Sequence, residues 1–265
     1  MNITIIGAGA MGGSTAEGII RSKMLESVSQ LCVADASPEA LERFSKQGVR
    51  ITTDNCEAVR GADLVAVVVK PWITESVLTQ IKDTLDYKSQ QLIVIAAGVS
   101  SETIASCLRK DSMPELPPYY LVIPNIAIAV LNSMTFIVPV GASAGQAAVV
   151  TGVFDKMGST IVTEERLLTA GTTLASCGIA YAMRYIRASV EGGVELGFKA
   201  KDAEKIVEQT VKGAVELLQA TGAHPESKID EVTTPGGVTI KGLNEMEHAG
   251  FTSAVIRGLK AGMGK

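Results

Sequence analysis

Over its first 162 residues the chain alternates short apolar runs with amphipathic stretches. Asn2-Ile-Thr-Ile-Ile6, Leu31-Cys-Val-Ala34 and Val49-Arg-Ile-Thr52 are brief, whereas Leu64–Val69 and Leu92–Ala97 are apolar at every position. A strand with no polar alternation has both faces covered, as in a parallel sheet between layers of helix. Helix punctuation falls between the runs. Ser37-Pro38-Glu39 sets a capping hydroxyl before a proline at the first helical position, with an acid in the first turn. Gly48 and Gly61 stand where helices stop. After a proline-bearing loop over 109–118, the runs Tyr119–Ile123, Thr135–Val140 and Ser159–Val162 extend the sheet.

Beyond Thr163 the pattern changes. Thr172–Gly197 contains no proline and few strand signals. From Ala203, apolar residues recur at Ile206, Val207, Val211, Ala214, Leu217 and Leu218, the spacing of one helix face, until Gly222 and Pro225 end it. A polar segment then leads to Thr233-Thr-Pro-Gly-Gly237 and two short helical stretches. The expected fold class is α/β followed by all-α, with an α/β domain over 1–162 and an all-α domain over 163–265.

Composition narrows the class of function. Apolar residues make up 46% and charged residues 20%, as in an ordinary globular core, and aromatics at 4% leave that core to Ala, Val, Ile and Leu. A net charge of −4 argues against nucleic acid as partner, because phosphate binding needs a surplus of Lys and Arg. No apolar run approaches the ~18 residues of a membrane span, and the start lacks the basic leader of a signal peptide. Cys32, Cys56, Cys107 and Cys177 lack metal-ligand or redox-pair spacing. A cytoplasmic protein with free thiols, no metal and no membrane partner is expected.

Gly7-Ala8-Gly9-Ala10-Met11-Gly12 follows the first strand and opens a helix. Gly7 allows the tight turn, Gly9 lets backbone approach a pyrophosphate, and Gly12 lets the helix pack on the strand, while the helix N-terminus offers N–H groups to the phosphates. The N-terminal part is therefore a Rossmann-type doubly wound sheet that binds a dinucleotide. Asp35 ends the second strand, where a carboxylate accepts from ribose hydroxyls and repels a 2′-phosphate, so NADH is favoured over NADPH without excluding NADPH. Val69-Lys70-Pro71 and Ala97-Gly98 end two further strands at the sheet edge where open α/β folds bind ligands, and they join the cofactor set.

Together these pieces resemble the pyrroline-5-carboxylate reductase family. The most specific segment is Asp230–Glu247, similar to the family's Pro-Gly-Gly-x-Thr loop running into a helix; the glycine loop, Val69-Lys70-Pro71, Ala96-Ala97-Gly98, Pro124-Asn125 and Glu208–Ala214 add to it. The resemblance implies NAD(P)H-dependent reduction of the C=N bond of 1-pyrroline-5-carboxylate to L-proline, the last step of proline biosynthesis. It implies a substrate site at Thr234, Pro235, Gly236, Gly237, Val238 and Thr239, with the Thr239 hydroxyl on the ring nitrogen as the catalytic contact. It also implies a place for Asn125 near the cofactor. The helical half would serve dimerisation and substrate binding, giving a homodimer or a higher oligomer of dimers.

The chain departs from the family pattern in places. Leu121-Val-Ile-Pro-Asn-Ile-Ala127 replaces Arg-x-Met-Pro-Asn-Thr-Pro, and Ser176-Cys-Gly-Ile-Ala-Tyr181 replaces Gly-Ser-Gly-Pro-Ala-Tyr. Alternatives are another cyclic imine, a β-hydroxyacid-type substrate, or a dinucleotide-binding protein without catalysis. Among the remaining polar residues, His224 and His248 read as surface groups and Tyr181 as core. The wide apolar surface of 172–197, with Leu174, Met183, Val190 and Val194, calls for cover from a second subunit.

Overall fold

The protein, seen in a computed structural model, is described over residues 1–111 and 113–264. Eight strands form one sheet: β1 (Ile3–Ile6), β2 (Leu31–Ala34), β3 (Arg50–Thr52), β4 (Leu64–Val67), β5 (Gln91–Val94), β6 (Tyr119–Ile123), β7 (Ser133–Val140) and β8 (Gly158–Val162). Their spatial order is β3-β2-β1-β4-β5-β6-β7-β8. Every pairing is parallel except β6 with β7. Strand order reverses direction at β1, which opens a crevice at the C-terminal ends of β1 and its neighbours.

The continuous apolar strands split cleanly between two cores. Ile3, Ile5, Leu31, Val33, Leu64, Ala66 and Ile93 pack on one face, and Ile6, Cys32, Ala34, Val65, Val67, Leu92 and Val94 on the other. This is the period of two that burial on both sides requires. Helices α1 (Ala10–Ser22), α2 (Pro38–Ser45), α3 (Asn55–Val59), α4 (Pro71–Ile81), α5 (Ser101–Leu108) and α6 (Ala144–Asp155) cover the sheet. Ser37 caps α2 through the Ala40 N–H, with Pro38 at the first helical position, as its sequence predicts. The loop over 109–118 carries one isolated bridge, Lys110 to Met113; Ser112 within it lies outside the described residues.

Two strands end sooner than their apolar runs. Val68 and Ile95 still donate to the Ile6 and Val67 carbonyls, and Val69 and Ala96–Ala97 beyond them supply the turns at the sheet edge. A short helix α7 (Leu168–Gly171) leads into a π-helical stretch, Thr172–Cys177. Gly171 packs tightly there, since a Cβ would sit 3.0 Å from the Phe136 ring. The compact units divide after Ser176: Met1–Ser176 and Cys177–Lys265.

The second unit holds α8 (Gly178–Glu195), α9 (Ala200–Thr221), α10 (Pro225–Glu231), α11 (Val238–His248) and α12 (Phe251–Gly262). α8 and α9 cross closely where Gly193 meets the Ala203 Cβ, and Tyr185 and Phe251 meet edge to face with centroids 6.4 Å apart. Helix α10 lies in the segment expected only to be polar. Its N-terminus is closed by His224, whose Nδ1 accepts from the Glu226 N–H at 3.2 Å, a use of histidine that composition does not signal. Tyr181 is not core in the chain; it is 41% exposed. Among the described residues no helix is long and apolar enough to cross a membrane.

Candidate active site

The glycine loop runs from the end of β1 into α1, and its three glycines do different work. Gly7 has φ +107°, and a Cβ there would lie 2.3 Å from the Val68 carbonyl oxygen. That contact ties the loop to the end of β4, so the glycine cradle and the Val69-Lys70-Pro71 turn adjoin. A Cβ on Gly12 would fall 1.8 Å from the Gly7 carbonyl, so α1 can pack against the loop only with glycine there. Gly9 is the N-cap of α1 with φ −63°, and nothing lies within 4 Å of its Cβ position. Its missing side chain relieves no contact within the chain and leaves room outside it. No side chain caps α1 and no acid stands in its first turn. Its first N–H groups and the positive end of the helix dipole therefore face this open space.

Asp35 follows β2. Its Oδ2 accepts from the Ala8 N–H at 2.6 Å and its Oδ1 from the Ser37 N–H at 2.9 Å. The carboxylate thus stands beside the loop as expected, but both oxygens already hold a backbone donor. Arg43 on α2 donates from Nη2 to the Ala8 carbonyl at 3.4 Å. The sequence gives no sign of this approach, because it joins residues far apart in the chain. Ala8, Gly9, Ala10, Gly13 and Ser14 with Glu39, Ala40 and Arg43 line a groove of about 680 Å³.

Lys70 is the N-cap of α4 and Pro71 its first residue. The Lys70 ammonium lies 5.9 Å from the centroid of Trp72, an exposed ring. Ala97 and Gly98 are exposed at the end of β5, with Gly98 at φ +82°. The turn is anchored behind them. Glu165 accepts from the Ser101 N–H at 2.8 Å and from its hydroxyl, and Tyr119 donates to the Ser101 carbonyl at 3.0 Å. Asn125 follows β6 and caps a turn whose Ile126 and Ala129 line the same groove as Gly9 and Ala10. It is buried, its Oδ1 accepts from the Ala127 N–H at 3.0 Å, and its Nδ2 points to the Ala175 carbonyl at 3.4 Å. It caps the short 3-10 turn Ile126–Val130, whose Ile128 carbonyl packs against Gly18 of α1.

In the helical unit, Thr234-Pro-Gly-Gly237 forms a closed turn. The Gly237 N–H donates to the Thr234 carbonyl at 2.9 Å, with Gly236 at φ +69°. The Thr234 hydroxyl would lie 2.5 Å from any Cβ on Gly237. Gly237 then caps α11 without a side-chain acceptor and with no acid in the first turn. Val238 and Thr239 are exposed at the start of that helix. The first N–H groups of α11 are thus left without a side-chain acceptor, and Thr239 is exposed at the second residue of the helix.

Two family models match the chain. Residues 2–100 match "NADP oxidoreductase coenzyme F420-dependent" and residues 165–265 match "Pyrroline-5-carboxylate reductase dimerisation". Pyrroline-5-carboxylate reductase 2 of Dictyostelium discoideum is 35% identical over 97% of this chain and 89% of its own length. The enzyme of Methanosarcina acetivorans is 34% identical over 96% of this chain and 94% of its own. The chain belongs to the pyrroline-5-carboxylate reductase family. Pyrroline-5-carboxylate reductase 1 of Dictyostelium discoideum is 37% identical over 97% of this chain, which spans only 48% of that relative. Among solved structures, the Streptococcus pyogenes 1-pyrroline-5-carboxylate reductase is 29% identical with TM-score 0.85, covering 99% of this chain and 96% of that one. The Plasmodium falciparum pyrroline carboxylate reductase with NADP bound shares the fold at TM-score 0.89 and 24% identity, covering 99% and 95%.

The family's dimerisation region coincides with the apolar helices. Tyr181, Tyr185, Met246, Phe251, Ala254 and Val255 line an apolar groove of about 720 Å³ within the second unit. Leu174, Met183 and Val194 are exposed, as the wide apolar surface of 172–197 predicts. This surface belongs to a protein that associates with itself.

Proposed function

We propose that the chain reduces 1-pyrroline-5-carboxylate to L-proline at the expense of a reduced nicotinamide dinucleotide, as a homodimer or an assembly of dimers. The family supplies the reaction. The observation that carries the reading is the cradle at Gly9, where a glycine with unremarkable φ and no neighbour leaves space at an uncapped helix start. A dinucleotide fits that cradle: Gly9, Ala10, Met11 and Gly12 would hold the pyrophosphate, Asp35 would stand at the adenosine ribose, and Lys70, Pro71, Ala97 and Gly98 would shape the nicotinamide end. Asp35 alone favours NADH, though both of its oxygens are already engaged. The bound dinucleotide supplies a hydride.

The chain's own residues have the simpler task of positioning. An iminium carbon is electrophilic without help, so orientation and charge complementarity supply most of the effect. The N–H groups at the start of α11 hold the substrate carboxylate. The Thr239 hydroxyl, at the second residue of α11, meets the ring nitrogen and steadies it as the C=N bond becomes C–N. Thr234 keeps the turn closed beneath it. The test is direct: purified protein, 1-pyrroline-5-carboxylate and either NADH or NADPH, followed by loss of dinucleotide absorbance and by proline formed. Proline matching dinucleotide consumed is the expected result. Tight dinucleotide binding with no proline from either cofactor would overturn it.

A further inference from the structure

Glu165 directs both carboxylate oxygens to one neutral residue. Its Oε1 accepts from the Ser101 N–H at 2.8 Å and its Oε2 from the Ser101 hydroxyl. Among the described residues it joins no ion pair. We infer that Glu165 is a positioning residue for hydride transfer: by clamping Ser101 it fixes the Ala97–Gly98 turn, and with it the nicotinamide ring that the turn faces. This deepens the proposed reaction and rests on that reading for the place of the ring.

The turn cannot hold its own shape. Ala97 and Gly98 are exposed, Gly98 takes φ +82°, and nothing lies within 4 Å of its Cβ position. Its course is therefore set by its two ends. At one end the Ile95 N–H donates to the Val67 carbonyl at 2.9 Å. The other end is Ser101, the first residue of α5. Ile104 and Leu108 are fully buried and seat the body of that helix. Its cap is already supplied, because the Ser100 hydroxyl accepts from the Thr103 N–H at 3.1 Å. Glu165, 64 residues further along the chain, adds a second acceptor to an already capped helix, and its charge meets the positive end of the dipole.

The clamp is closed from a third side. Tyr119 of β6 donates to the Ser101 carbonyl at 3.0 Å. Burial, and after it the charge of Glu165, raises the Tyr119 hydroxyl above its ordinary value and keeps it a donor. The N–H, hydroxyl and carbonyl of one residue are thus each held by a side chain from another element. Capping alone needs none of these bonds; together they fix where α5 begins. The same stretch of chain steadies a second turn, since the Ala175 carbonyl takes the Asn125 Nδ2 at 3.4 Å, and the turn that Asn125 caps lines the glycine groove. Hydride transfer is sensitive to such placement: a shift of about 1 Å costs on the order of 100-fold in rate.

The test separates the ring from the rest of the dinucleotide. The full chain is loaded with NADH or NADPH, whichever binds, and the fluorescence anisotropy of the bound nicotinamide is read beside its dissociation constant and the steady-state rate with 1-pyrroline-5-carboxylate. The variants are Glu165→Ala, Glu165→Gln and Ser101→Ala, with circular dichroism confirming the fold of each. Glu165→Ala is expected to lower kcat roughly 10- to 100-fold and to lower the anisotropy of the ring. Its dinucleotide affinity, set at the glycine loop, should stay within about threefold of the wild type. Glu165→Gln keeps an acceptor for the Ser101 N–H and gains a donor for its hydroxyl oxygen, so rate and anisotropy should return to within about threefold. Ser101→Ala should fall between. Wild-type rate and anisotropy in Glu165→Ala would overturn the assignment. So would a loss that Glu165→Gln fails to rescue, or a loss of affinity as large as the loss of rate, which would leave Glu165 a brace for the whole domain. A wild type that binds no dinucleotide overturns the cradle reading and this inference with it. A wild type that binds without forming proline sinks only the proposed reaction, and the anisotropy of Glu165→Ala still decides the role of the clamp.

Discussion

Asp35 and Arg43 grip the same residue from opposite ends of its backbone: Asp35 accepts from the Ala8 N–H at 2.6 Å, and Arg43 donates to the Ala8 carbonyl at 3.4 Å. The path of the glycine loop is therefore set by the β2–α2 side of the sheet as well as by its own glycines. Ala8 is buried, so its N–H has no cheap substitute for the carboxylate. Asp35→Ala is expected to cost about 1–3 kcal/mol of stability. It should also weaken both dinucleotides, because the loop itself loosens. Asp35→Asn keeps one acceptor and should lose less. Urea unfolding and dinucleotide titration on the same samples check this; a stable Asp35→Ala with unchanged binding would refute it.

Gly9 and Gly12 separate folding from binding. Gly12→Ala drives a methyl into the Gly7 carbonyl and should impair folding. Gly9→Ala meets nothing and keeps an ordinary φ, so its melting temperature should stay near that of the wild type, while dinucleotide affinity falls at least about tenfold. A Gly9→Ala protein that binds normally would move the pyrophosphate elsewhere.

Thr239 carries the one side-chain hydroxyl assigned to the reacting ring. Thr239→Val should lower kcat on the order of 100-fold with dinucleotide affinity intact. Thr239→Ser restores the hydroxyl and should recover most of the rate. Steady-state kinetics with both variants decide the matter, and equal activity in all three proteins would remove Thr239 from the mechanism.

Buried tyrosines set an alkaline limit. Burial pushes Tyr120 and Tyr87 up to about 12, from an ordinary value near 10. Tyr120 donates to Gln91 Oε1 at 2.6 Å and Tyr87 to the Leu108 carbonyl at 2.5 Å. A folded-state pKa above the unfolded value means that the stabilisation is complete below pH ~10 and is lost as pH rises through ~12, by up to roughly 2–3 kcal/mol per group. The urea midpoint should fall across that window. Tyr120→Phe should be somewhat less stable at neutral pH, and its midpoint should fall less steeply above pH ~10. An identical slope in both proteins would place the alkaline weakness elsewhere.

Thr173 offers a test in the opposite direction. Its hydroxyl is buried within the π-helical stretch and finds no partner among the described residues. Thr173→Val keeps the shape and removes an unsatisfied polar group, so stability should rise by about 1 kcal/mol. A destabilised variant would mean that the hydroxyl is in use.

The parts of the fold legible in the sequence are those governed by local rules. Both cores follow from strands such as Leu64–Val67 with no polar position, and the α2 boundary follows from Ser37 and Pro38. Gly7 and Gly12 are readable because a backbone approach admits one residue type. What the sequence hides depends on contacts between distant segments. Arg43 reaches Ala8 across two elements, Glu165 holds Ser101 from far along the chain, and Asn125 turns inward to cap a 3-10 turn. The π-helical turn at Thr172–Cys177 is invisible to periodicity, since a single wide turn shifts the phase of the pattern without changing its composition.

The apolar groove lined by Tyr185 and Phe251 has a consequence for how this molecule is handled. A chain whose helical half leaves Met183, Val194 and Phe251 bare gains part of its cohesion from association. Its melting temperature is then a function of protein concentration as well as of sequence. Dilution alone loosens the helical half, so a sample that is robust at the crystallographer's concentration becomes fragile at the enzymologist's.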